Sequence, residues 1–212
     1  MFLFVNLQFK SFKALDVYEM VYKNKVKNGF FIEAGAADCK GSVTLPFEDK
    51  LNWTGLLVEA VPTFFRGCLK KDRRATLINT CLGMKDKPHF IGFDMYSSGV
   101  IREVQGKSIG AMPGFAGKNP THLVEVQCFP LYTLLAGMGN PTVHLFVLDI
   151  EGFELGVLRH IPWDKVDIQV FSIETDLAGH FMDGSREEII QIMEGAGYVR
   201  KDIVKKYNVV QL

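Results

Sequence analysis

No charge of one sign dominates this sequence of 212 residues: Lys and Arg together number 24, Asp and Glu also 24, and the formal net charge is zero. That balance excludes broad electrostatic binding to nucleic acid or to an anionic membrane, which needs a basic face. The apolar N-terminus MFLFVNLQF falls far short of the roughly 20 residues that a transmembrane helix requires. It also lacks a basic n-region and an A-x-A cleavage site, so neither membrane insertion nor a signal peptide is expected from it. A membrane anchor upstream of Met1 is left open. Cysteine is sparse: Cys39, Cys68, Cys81 and Cys128 form no C-x-x-C pair, which excludes the usual structural zinc cluster. Each lies in or beside an apolar segment, so they read as buried free thiols, and a cytoplasmic location is expected. No Pro-, Ser- or Gly-rich linker separates two cores, and residues 1–212 read as a single domain. The composition is ordinary for a globular protein, 48% hydrophobic and 23% charged, and a chain of this length buries enough surface to fold without a crosslink or metal.

Along the chain, strand-like and helix-like patterns alternate. Residues 1–28 form an N-terminal segment whose part from Ser11 to Lys27 has helical spacing, with Asn28-Gly29 as the stop. FFIEA at 30–34 is a short apolar run of the kind covered on both faces in a parallel sheet. A helix follows over 44–52, GLLVEA at 55–60 is the second strand, Pro62 opens a helix through Lys71, and ATLINT at 75–80 is the third strand. This alternation implies a doubly wound sheet with right-handed crossovers. Residues 93–121 are glycine-rich and weakly periodic, which suits a lid or a surface insertion. HLVEVQC at 122–128 alternates as a half-buried strand, and 130–136 reads as a short helix. VHLFVLDI at 143–150 is the most apolar strand, followed by a helix at 152–159 and the strand IQVFSIE at 168–174. Ser185 with Glu188 makes a capping-box pattern for a helix through 196. The tail YVRKDIVKKYNVVQL has the form of a terminal antiparallel hairpin.

Three acidic clusters lie at strand ends. The first is EAGAADCKGS, from Glu33 to Ser42, at a strand-to-helix junction where Gly35 permits a sharp turn and a close ligand approach. It matches neither G-x-G-x-x-G nor the P-loop, and Glu33 with Asp38 would repel a pyrophosphate and attract a cation. The second is Glu59, at about the offset from Gly35 at which a carboxylate grips ribose hydroxyls, or else simply an exposed strand end. Together they specify an adenosine-type ligand carrying positive charge, which S-adenosyl-L-methionine satisfies. The third is LDIEGFE, with Asp149 at the strand end and Glu151 either catalytic or favoured by the N-terminal end of the next helix. Asp149 with Glu174, the acid closing the next strand, offers a base or a site for a hard cation such as Mg2+.

With these stretches in place, the chain resembles the FkbM family of methyltransferases, especially an invertebrate-type branch. FFIEAGAADCKGSVTLPFE, WTGLLVEAVPTFF, NTCLG, LFVLDIEGFELGVLRHIPW and the late GAGY at 195–198 run in family order over nearly the whole chain. The resemblance implies a Rossmann-like class I methyltransferase fold: a mostly parallel seven-stranded sheet with helices on both faces and a C-terminal antiparallel hairpin. It implies S-adenosyl-L-methionine-dependent O-methylation of a hydroxyl on a small molecule or glycan. Glu33, Gly35, Asp38 and the loop through Ser42 would surround the methionine part of that cofactor. Glu59 would take the ribose, and Asn79, Cys81 and Leu82 would border the adenine. Asp149 is both a cofactor-binding candidate and the candidate base, with His122 and His144 as weaker alternatives for the base. The family commonly has Gly where Cys39 stands, Asn where Val43 stands and Pro where Ala60 stands. Cys39 therefore either takes a backbone angle that glycine adopts most easily, or the loop differs there. The alternative reading is a catalytically inactive binding or trafficking module on the same fold.

Overall fold

A computed structural model of the chain describes residues 2–7, 22, 26–94, 101–102, 123–179 and 184–201. Its centre is a seven-stranded sheet built from β1 (Phe2–Leu7), β2 (Phe30–Ala34), β3 (Thr54–Glu59), β4 (Thr76–Asn79), β9 (Leu145–Leu148), β10 (Val170–Glu174) and β11 (Tyr198–Lys201), in the order β11-β1-β10-β9-β2-β3-β4. All six pairings in this sheet are parallel. Parallel strands must be covered on both faces, and the sequence supplies that covering by alternation. Ile32, Ala34, Leu56, Val58, Phe146, Leu148, Phe171 and Ile173 pack to one side with α3 (Leu131–Gly137), α4 (Glu154–Leu158) and α5 (Arg186–Gly195). Phe31, Leu57, Leu145, Val147 and Val170 pack to the other side with α1 (Leu45–Leu51), α2 (Pro62–Cys68), Trp53, Tyr22 and Val26. Phe31, Leu57, Phe146 and Phe171 are each at most 1% exposed, and such burial contributes about 1.5–3 kcal/mol per side chain.

A second sheet of four strands has the order β5-β8-β6-β7, from β5 (Cys81–Leu82), β6 (His89–Asp94), β7 (Ile101–Arg102) and β8 (Leu123–Phe129). In β8 the alternation read from the sequence is realised, with Glu125 and Gln127 exposed and Val126 and Cys128 buried. The capping residue of α5 also holds: Ser185 Oγ accepts a hydrogen bond from the Glu188 N–H at 3.2 Å.

Several expectations need correction. The N-terminal segment 1–28 is not helical throughout, because Phe2–Leu7 form β1 between β10 and β11. A six-residue apolar run too short for a bilayer is the right length for a covered strand. Of the expected helix at 11–27, residues 11–21 and 23–25 lie outside the described residues, while Tyr22 is helical and Val26 and Lys27 are not. The return half of the expected C-terminal hairpin also lies outside them; β11 itself pairs in parallel with β1. Most of the expected lid at 93–121 lies outside them too, except for the ends of the antiparallel β6–β7 pairing.

The cysteines are not free thiols. Cys39 is bonded to Cys68 and Cys81 to Cys128, with Cα separations of 4.8 and 4.3 Å. Burial among apolar side chains is common to a thiol and to a disulfide, so the linear pattern could not separate them. What decides is register: Cys81 and Cys128 are direct partners on adjacent strands, while Cys39 and Cys68 meet within one apolar cluster.

Candidate functional site

The sheet order reverses between β9 and β2: the chain runs outward from β2 through β3 to β4, and from β9 to β10 in the opposite direction. In open α/β sheets the ligand crevice lies at the carboxyl ends of the strands at such a switch point. Here those ends are Ala34-Gly35 and Leu148-Asp149. They meet closely. Gly35 has φ +85, and a Cβ placed on it would lie 1.8 Å from the Asp149 carbonyl oxygen, so no other residue fits without moving β2 from β9. The first and third acidic clusters of the sequence are thus one place in space.

Backbone strain gathers in the same two loops. Among the described residues, six other than glycine have positive φ: Asn28, Asn52 and Asn140, and also Ala37, Cys39 and Glu151. Asparagine tolerates this region, whereas Ala, Cys and Glu adopt it at a cost. Ala37 and Cys39 follow β2, and Glu151 follows β9. Cys39, at φ +59, takes the backbone angle of the glycine that the resemblance placed there, and its bond to Cys68 ties the loop to the end of α2.

The loop after β2 is held from beneath by two buried carboxylates. Glu59, 6% exposed, accepts hydrogen bonds from the Ala37 and Val61 N–H groups, each at 2.7 Å. An exposed strand end is therefore excluded. Burial raises its pKa above the ordinary carboxylate value, and the backbone donors oppose that rise. Each of its oxygens retains a further acceptor site. Asn79 donates to the Glu59 and Ala60 carbonyls at 2.7 and 3.0 Å, which ties the end of β4 to the end of β3. Asp38 is half-exposed and accepts from the Lys40 N–H at 3.0 Å.

Glu33 has a different task. Lying on the same face as Phe31, it accepts from Ser42 Oγ at 2.6 Å, from the Val43 N–H at 3.0 Å, and from both the N–H and the hydroxyl of Thr44. Arg73 joins this group, donating to Ser42 Oγ at 2.8 Å and Thr44 Oγ1 at 3.0 Å while pairing with Glu48 at 2.7 Å. The Arg73 and Glu48 side chains are 1% and 2% exposed, and removing one member of such a buried pair costs about 3–5 kcal/mol. Glu33 and Ser42 thus organise the loop through a closed network. Cys81 and Leu82, each 5% exposed, lie in β5, with the Cys81 sulfur bonded to Cys128.

The sequence matches the profile of the methyltransferase FkbM domain over residues 33–200. The chain belongs to the FkbM methyltransferase family. No curated protein and no solved structure matches it. The fold of this FkbM domain, a parallel seven-stranded sheet with helices on both faces, is the Rossmann-like architecture that the sequence implied.

The third acidic cluster differs from its sequence reading at one residue. The helix after β9 begins at Glu154, with Phe153 as its N-cap, so Glu151 is not in its first turn and the dipole does not explain it. Glu151 is instead exposed at φ +60 in the preceding turn. The residue that secures this turn is Glu154, whose Oε1 accepts from the Ile150 N–H at 2.7 Å and the Gly152 N–H at 3.2 Å. Glu154 is fully buried, and its pKa is pushed up to about 7, chiefly by desolvation and further by the charge of Glu174. Glu174, which accepts from the Asp176 N–H, is also raised, by burial first and then by Asp149 and Asp176, against the backbone donors Asp176 and Leu177. Glu154 went unnoticed in the sequence, although a carboxylate immediately before the apolar LGVL run is its available signal. His144, by contrast, sits at the opposite end of β9, accepting from the Phe30 N–H at 3.1 Å and packing beside Trp53. His122 lies outside the described residues.

Proposed function

We propose that this domain transfers the methyl group of S-adenosylmethionine to a hydroxyl oxygen of a small-molecule or glycan acceptor. The observation that carries the reading is the junction of Gly35 with Asp149 at the switch point, flanked by the strained, partly exposed Ala37–Cys39 turn above Glu59. The donor set fits the cofactor: carboxylates and carbonyls face a cationic ligand, and Glu59 keeps acceptor capacity for ribose hydroxyls. Gly35 and Asp38 would lie against the methionine end, and Asn79 would border the adenine. When bound, S-adenosylmethionine supplies an electrophilic methyl group for displacement by the acceptor oxygen. Orientation of that oxygen supplies much of the rate. Asp149 would receive the hydroxyl proton as the new O–C bond forms and the S–C bond breaks, and Glu151, exposed in the adjoining turn, would contact the acceptor. The two disulfides favour an oxidising compartment for this activity in place of the cytoplasm.

Thermal unfolding of the purified chain with S-adenosylmethionine or S-adenosylhomocysteine tests the reading. Ligand at 100 times its dissociation constant should add about 2.7 kcal/mol of stability. No shift with either compound at millimolar concentration would remove the enzyme reading and favour a binding module on the same fold.

A further inference from the structure

We propose that Asp149, Glu154 and Glu174 form a binding site for one hard divalent cation at the carboxyl ends of β9 and β10. One carboxylate oxygen from each lies within 4.8 Å of the others. The observation that separates this trio from a solvated acidic patch is Glu154. Its side chain is fully buried, and while Oε1 takes two backbone N–H groups, Oε2 has no hydrogen-bond partner among the described residues. Glu174 Oε2 is likewise buried and has no hydrogen-bond partner among the described residues. A carboxylate oxygen withdrawn from water without a donor is costly, and here two such oxygens share a site with a third acid.

The ligand chemistry is specific. Three carboxylates with no sulfur or imidazole suit Mg2+, Ca2+ or Mn2+ rather than zinc or copper. Opposed oxygens around Mg2+ stand about 4.0–4.2 Å apart and around Ca2+ about 4.6–5.2 Å, so the span found here accommodates either ion with little movement. The two N–H groups on Glu154 Oε1 orient its carboxylate, the part that backbone donors commonly play behind a metal ligand. Binding of the ion stands on these carboxylates alone. Its use, to draw in the acceptor hydroxyl and ease loss of its proton, rests on the methyl-transfer reading.

The test is calorimetric titration of the full chain, stripped with EDTA and free of cofactor, with Mg2+, Ca2+ and Mn2+ in turn. One site is expected for at least one ion, weakened at least tenfold in Glu174→Gln and in Asp149→Asn, with Glu154→Gln as a third variant wherever it folds. Folding of each variant is read from its melting curve. Absence of binding at about ten-millimolar ion, or unchanged affinity in both Glu174→Gln and Asp149→Asn, overturns the site. Parallel titration with S-adenosylhomocysteine separates the two readings: ion binding without nucleoside binding would retain the cation site and discard the methyl-transfer function.

Discussion

Glu59 holds the loop after β2 and, on the proposed reading, would also take a ligand hydroxyl. Its two oxygens hold Ala37 and Val61 by their N–H groups at the end of β3. Exchanging it for Gln keeps the volume but sets an amide N–H₂ against a backbone donor. Glu59→Gln should therefore weaken S-adenosylhomocysteine binding at least tenfold, since a charged hydrogen bond is worth about 1.5–3 kcal/mol, and should also lower the melting temperature. Calorimetry beside a melting curve checks this; full affinity with a lowered melting temperature would assign Glu59 to the loop alone. Single residues were unevenly legible in the sequence. Gly35, Glu59 and Asp149 stand out because a strand end, an acid and a glycine coincide in the linear pattern. Glu154 and Arg73 do not, because their importance lies in partners that are remote in sequence or are backbone groups.

Among the elements, β2, β3, β4, β8, β9 and β10 were legible because their apolar runs are bounded by glycine, proline or acids. Helices ended earlier than read, as at Cys68 and Leu158, since terminal polar residues continue a helical pattern without packing. The covalent ties between elements were not legible: four cysteines allow three connectivities, and sequence spacing does not choose among them. The Cys39–Cys68 bond closes a separation of 29 residues, for which chain entropy assigns about 3–4 kcal/mol. Cys39→Ser with Cys68→Ser should lower stability by that order. It should also reduce cofactor affinity, because the turn loses its tie to α2 while keeping a strained angle. Denaturant melts and nucleoside titration of the double variant read both effects. Detection of four free thiols in the unreduced, unfolded wild type would overturn the pairing itself.

For the molecule as a whole, stability should depend on pH through Glu154. Its folded pKa of about 7 lies above the ordinary 4.5, so between those values the folded state binds more protons than the unfolded state. The stabilisation is complete below about pH 4.5 and is lost as pH rises through about 7. In EDTA, the melting temperature should fall across this window in the wild type and much less in Glu154→Gln; equal slopes would remove Glu154 as the source. A second whole-chain property follows from β1. It lies between β10 and β11, so Phe2–Leu7 are made long before either neighbour and must wait, as an unpaired apolar strand, until residues 170–201 have left the ribosome. Productive folding in a cell is thus a contest of timing, in which synthesis of the last strands races against capture of the first by a stranger, and a chaperone that shelters one short segment would decide the yield.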